Sequence, residues 1–163
     1  MSLQAPGPLG EAHDFAAFAS GADGLDDWLK RRARFNQASG ASRTYVVADG
    51  TRVVGYCALA SGAVVLSAAS SRISRNMPDP IPIVVFGRLA VDREWQGRGL
   101  GSAMFRDAAH RVRRAADTIG IRGMLVHAIS EDARQFYLSL GFEPSMLDPM
   151  TLLVRLADIE TAR

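Results

Sequence analysis

Two stretches of the sequence carry residue types that could do chemistry. In the first, Gln96-Gly97-Arg98-Gly99-Leu100-Gly101 follows an apolar run ending at Leu89-Ala90-Val91, and a helical pattern begins directly after it. Glycines at these positions permit positive φ and let a ligand approach the main chain closely. The start of a helix adds unpaired N–H groups and a partial positive charge. Together they make a site for a phosphate or pyrophosphate. It is not a P-loop, because no Gly-Lys-Ser/Thr follows, and its spacing is not that of a dinucleotide fingerprint. A glycine-rich turn without function is the alternative at this point. The second stretch, Ala133-x-x-Phe136-Tyr137-x-x-x-Gly141-Phe142, puts a phenol on a helix that glycine ends.

The elements that must position these residues follow from periodicity. Leu25, Trp28, Leu29 and Ala33 predict an amphipathic helix over 24–37, stopped by Gly40. A strand over 44–48, the turn signal Asp49-Gly50 and a strand over 52–60 predict a hairpin, with a third strand over 62–67. A long polar loop is expected from Ser67 to Pro82. The run 83–91 is apolar enough for a central strand. Helix 99–118, strand 123–128, helix 131–140 (Ser130 its cap, Gly141 its stop) and strand 151–156 follow. Residues 1–12 read as an irregular lead-in. The order predicts a mixed α/β fold and one domain over 1–163.

The chain of 163 residues is of single-domain size, and 48% hydrophobic with 22% charged residues suits a soluble globular protein. No apolar run is long enough for a membrane span, and MSLQAPGPLGEAHD lacks the features of a secretory signal, so a cytoplasmic protein is expected. Cys57, alone, excludes an internal disulfide and reads as a buried thiol. The three histidines, His13, His110 and His127, show no metal-ligand spacing, and no metal is expected. His127 falls on a strand and reads as a core histidine. Nearly all the positive charge is arginine, grouped around 30–34, at Arg72 and Arg75, and at 111–114. Such groups are either solvated faces or phosphate contacts.

The spacing of Gln96, Gly99 and Gly101 after an apolar strand resembles the acyl-CoA signature of the GNAT N-acetyltransferase superfamily, and the block from Ala133 to Phe142 is similar to its second hallmark. The resemblance covers about Phe15 to Leu156. It implies a mixed sheet, flanked by helices, whose central strands splay apart to admit the pantetheine arm of acetyl-CoA. Leu89, Ala90 and Val91 would then face the arm. The amides of Arg98, Gly99, Gly101 and Ser102, in the loop that includes Gly97, would hold the pyrophosphate, and Gln96 would order that loop. The backbone N–H near Val91 would stabilise an oxyanion, and Tyr137 would protonate the leaving thiolate. Ser130 stands where many members carry asparagine. Glu131 and Asp132 read as charges at a helix N-terminus rather than as a base.

The phrases LDDWL, SRTYVV, VVGYCALA, PDPIPIVVFGRLAVD and VHA resemble the acetyltransferase toxins of bacterial toxin–antitoxin modules. That likeness implies the α-amine of aminoacyl-tRNA as acceptor, a homodimer, and a small ribbon–helix–helix antitoxin. It makes Arg75 and Arg88 candidate tRNA contacts, Arg88 being equally an ion-pair partner. A GNAT enzyme acting on a small amine or a protein N-terminus, and a non-catalytic acyl-CoA-binding module, stay open as alternatives.

Overall fold

The computed structural model describes residues 3–159. The ends of the expected 1–163 domain, residues 1–2 and 160–163, lie outside the described residues. The chain gathers into two compact units. One takes the chain up to Ala60 together with Arg88–Asp107, the other Ser61–Gly87 and the chain from Ala108 on.

In the first unit β1 (Gly7–Pro8) pairs antiparallel with β2 (Arg43–Asp49), which pairs antiparallel with β3 (Arg52–Val64), a strand that belongs to this unit as far as Ala60. The lead-in therefore contributes a short strand; Gly7 and Pro8 have no pattern of their own and are recruited by β2. Gly50, with φ of 63°, makes the expected hairpin turn. β3 does not stop at Ala60. It continues to Val64, so the separate third strand is the end of this one. The expected helix 24–37 is two helices, α1 (Asp23–Arg31) and α2 (Ala33–Ser39), broken where Arg32 takes φ −118° and ψ −27°. Gly40, in the left-handed region at φ 84°, closes the second. The core holds Leu9, Phe18, Leu29, Val46, Val53 and Tyr56. The Tyr56 ring stacks on Trp28 at 6.0 Å, and its hydroxyl donates to the Leu25 carbonyl at 2.5 Å. Burial pushes that phenol well above its ordinary range. Cys57 is buried, as expected.

In the second unit β4 (Ile81–Phe86) runs parallel to β6 (Gly123–His127). β6 pairs antiparallel with β8 (Thr151–Arg155), and β8 with β7 (Glu143–Pro144). The sheet is thus mixed. The expected single strand 83–91 is divided. β4 ends at Phe86, and Ala90–Val91 form a separate strand, β5, that belongs to the first unit and pairs with β3. Residues 87–89 between them lie in neither strand. The apolar run was continuous in sequence, but its two parts have different partners, which periodicity does not reveal. The β4–β6 ladder ends at Val85↔Leu125, two residues before β6 finishes its ladder with β8 at His127↔Thr151.

The supposed polar loop 67–82 is largely ordered. It holds a 3-10 turn over Leu66–Ala68 and the helical turn α3 (Ser71–Ser74). Ala68, Ala69 and Ile73 bury against Ile81, Ile83, Leu125 and Leu153. A few apolar side chains among many polar ones suffice to dock it. Helices α4 (Leu100–Ala116) and α5 (Glu131–Ser139) fall where expected. Among the described residues no helix is long and apolar enough to cross a membrane.

Candidate functional site

In the first unit the path from β5 into α4 is fixed by side chains. Asp92, 3% exposed, accepts from the Ala19 N–H at 3.1 Å and the Glu94 N–H at 3.0 Å, turning the chain into a short 3-10 turn over Arg93–Trp95. Gln96 Nε2 then donates to the Val91 carbonyl at 2.8 Å and the Ser20 carbonyl at 2.7 Å, tying the loop to the strand end. Gly97 and Gly99 sit at φ 78° and 79°, and a Cβ on either would meet nothing within 4 Å. The main chain here faces open space in a conformation that side chains avoid. The Gly99 carbonyl accepts the first helical bond, from Ala103 at 3.1 Å. The N–H groups of Leu100, Gly101 and Ser102 therefore fall in the first turn, without acceptors in their own helix. Arg98 places its guanidinium over the Trp95 ring at 4.8 Å. Leu89 lies in the connector before β5, and Ala90 and Val91 form β5 itself. A loop of this kind fits a pyrophosphate, which needs many N–H donors and no Cβ in its way.

In the second unit Tyr137 is 5% exposed and set edge-on among Phe86 at 6.3 Å, Phe136 at 5.2 Å and Phe142 at 5.6 Å. The Ser130 hydroxyl caps α5 by accepting from Ala133 at 3.1 Å, and Gly141, at φ 105°, ends the turn after it. Glu131 accepts from Gln135 at 2.7 Å and pairs with Arg134 at 3.3 Å. These partners, Gln135 foremost, hold its carboxyl below the usual carboxylate range, which makes it a weak base.

His127 is not a core histidine. It is exposed at the end of β6, and its Nδ1 lies 3.0 Å from Thr151 Oγ1. Thr151 Oγ1 donates to Asp148 Oδ2 at 2.9 Å, and Asp148 Oδ1 accepts from the Met150 N–H at 3.0 Å. The Met150 amide and then the Thr151 hydroxyl hold Asp148 below its ordinary range, with the neighbouring imidazole adding to the effect. The sequence signal for this, a strand's last residue opposite the first of its partner, needs the β6–β8 register and could not be found without it.

The arginine clusters divide. Arg34 donates to the carbonyls of Gly10, Glu11 and His13, Arg113 to those of Leu156 and Ile159, and Arg122 to those of Ile73 and Arg72. These are structural. Arg88 lies over the Trp28 ring at 4.8 Å. Arg75 follows α3 and, with Arg72, Arg122 and Arg155, lines a cavity of about 570 Å³. Such a lining suits an anion.

Residues 40–144 match the acetyltransferase (GNAT) domain family, and the chain belongs to it. It is an N-acetyltransferase. Over 154 residues, 94% of this chain and 93% of the relative, it is 49% identical to a tRNA-acetylating toxin of Mycobacterium tuberculosis. Its fold is similar to that of AtaT complexed with acetyl-methionyl-tRNAfMet, with a TM-score of 0.88, 28% identity and 96% of each chain covered. It is also similar to AtaTR bound with AcCoA, at a TM-score of 0.81, 29% identity, and 95% and 94% of the two chains.

Proposed function

We propose that this enzyme transfers the acetyl group of acetyl-CoA to the α-amine of an aminoacyl-tRNA, blocking translation as the toxin of a toxin–antitoxin pair. The observation that carries this reading is the 49% identity, over nearly the whole of both chains, to a tRNA-acetylating toxin. The amides of Arg98, Gly99, Gly101 and Ser102 hold the cofactor's pyrophosphate, Leu89, Ala90 and Val91 face its arm, and Gln96 keeps the loop in place. The amine nitrogen attacks the thioester carbon, the carbon–sulfur bond breaks, and the sulfur takes its proton from the Tyr137 hydroxyl. An α-amine suits this chemistry, since much of it is already neutral near pH 8. Arg75 and Arg88 contact the tRNA backbone. In the cytoplasm a homodimer is held inactive by a ribbon–helix–helix antitoxin.

The test is incubation with labelled acetyl-CoA and total charged tRNA. Label is expected in an N-acetyl amino acid released by mild base, and RNase should abolish its formation. Label on a peptide N-terminus or a free amine, indifferent to RNase, would reassign the acceptor.

Two expectations follow from this reading. Phosphate contacts make RNA binding steeply salt-dependent, so transfer at subsaturating tRNA should fall roughly tenfold or more between 50 and 200 mM salt. Arg75→Ala with Arg88→Ala should flatten that slope, measured as log rate against log salt. Gln96→Ala removes two donated hydrogen bonds, each worth about 1 kcal/mol, and should weaken acetyl-CoA binding roughly tenfold by calorimetry.

A further inference from the structure

The geometry points to His127 as the residue that takes the proton from the attacking amine. The inference rests on the acetyl-transfer reading above and concerns the one step that reading leaves without a residue.

The hydrogen-bond pattern sets the state of the ring. Thr151 spends its only proton on Asp148, so the contact to His127 is accepted by the threonine oxygen and donated by Nδ1. In the neutral ring the lone pair is then on Nε2. Asp148 cannot rotate away, because its other oxygen holds the Met150 amide and its carbonyl accepts from the Thr151 N–H at 3.1 Å. The ring is placed from below as well, since His127 and Thr151 are partners in the β6–β8 ladder. This order of contacts, carboxylate to hydroxyl to Nδ1, fixes the orientation and the tautomer of the imidazole.

The surroundings suit an organic substrate better than a solvated ion cluster. Ile129, two residues beyond His127, is 63% exposed, and Met146 and Leu147, just before Asp148, are 67% and 66% exposed. Large apolar side chains left in the open on both flanking segments mark a contact surface. The nearby carboxylates are poor competitors for the role. Glu131 is held ionised by Gln135 and Arg134, and both oxygens of Asp148 are already engaged.

The step balances. Nε2 removes one proton from the nitrogen as its bond to the acetyl carbon forms, the carbon–sulfur bond breaks, and the sulfur is protonated by Tyr137. The imidazolium then returns its proton to solvent, from which the phenolate is reprotonated. Thr151 is a positioning residue, since it acts through His127.

The experiment begins with wild-type transfer to charged tRNA. Failure there overturns the acceptor assignment and is seen before any variant is made. Given wild-type transfer, His127→Ala should lower turnover roughly a hundredfold with acetyl-CoA affinity and melting temperature unchanged, and added imidazole should restore at least tenfold. His127→Gln, which keeps an acceptor but cannot carry the proton, should be as slow as the alanine variant. Thr151→Val should lower kcat about tenfold with KM for tRNA unchanged, and Thr151→Ser should recover it. Turnover of His127→Ala within threefold of wild type, full turnover of His127→Gln, or a loss that imidazole leaves untouched would each overturn the assignment.

Discussion

Tyr137→Phe should lower turnover by about 10² to 10⁴ while leaving acetyl-CoA affinity within about twofold. The substitution removes only an oxygen. The ring stays edge-on to Phe86, Phe136 and Phe142, so the packing that buries this position at 5% exposure is kept. What disappears is a proton donor for the departing sulfur. Thiolate expelled without a proton leaves a worse product behind in the transition state, and that cost falls on kcat rather than on binding. Thiol release followed with a chromogenic disulfide, beside calorimetry with acetyl-CoA, separates the two quantities. Full turnover in the phenylalanine variant would remove Tyr137 from the chemistry and make it a core aromatic.

The sequence made the loop and its helix legible because both depend on local rules. Glycine at 97 and 99 is required by backbone conformation, with φ of 78° and 79°, and a helix start is required by the apolar period after Leu100. The cap at Ser130 and the stop at Gly141 are local in the same way. What stayed hidden depends on which strand lies beside which. The run 83–91 looked like one strand because apolar residues do not say whether their partner is β6 or β3. His127 looked like a core residue because its neighbours are. Its exposure and its contact with Thr151 follow from the antiparallel register of β6 on β8, a non-local fact. The arginines show the same limit. Clustering alone does not separate Arg34 and Arg113, which spend their donors on carbonyls, from Arg75 on the cavity wall.

Register also carries the prediction with the largest effect on stability. Gly123→Ala should destabilise the fold by about 3 kcal/mol or more, at or beyond the upper end of ordinary overpacking. A Cβ on Gly123 would stand 2.1 Å from the Val154 carbonyl oxygen, 3.0 Å from its carbon and 3.1 Å from the Arg155 Cα. These are backbone atoms of the paired strand, so no rotamer change relieves the clash and the strands must move apart. For a chain of this size that corresponds to a drop in melting temperature of roughly 6 to 12 °C. Gly120→Ala is the control. It lies three residues earlier, its Cβ would meet nothing within 4 Å, and it should stay within about 0.5 kcal/mol of wild type. The consequence reaches the chemistry, because the ladder that starts at Gly123↔Arg155 ends at His127↔Thr151. A strand prised open at its first residue tilts the pair at its last. Any folded Gly123→Ala protein should therefore lose turnover in the same sense as Thr151→Val, through kcat, while its affinity for acetyl-CoA holds. Wild-type stability in Gly123→Ala, by thermal melt beside the Gly120→Ala control, would contradict the close approach of β6 to β8 on which this placement of His127 depends.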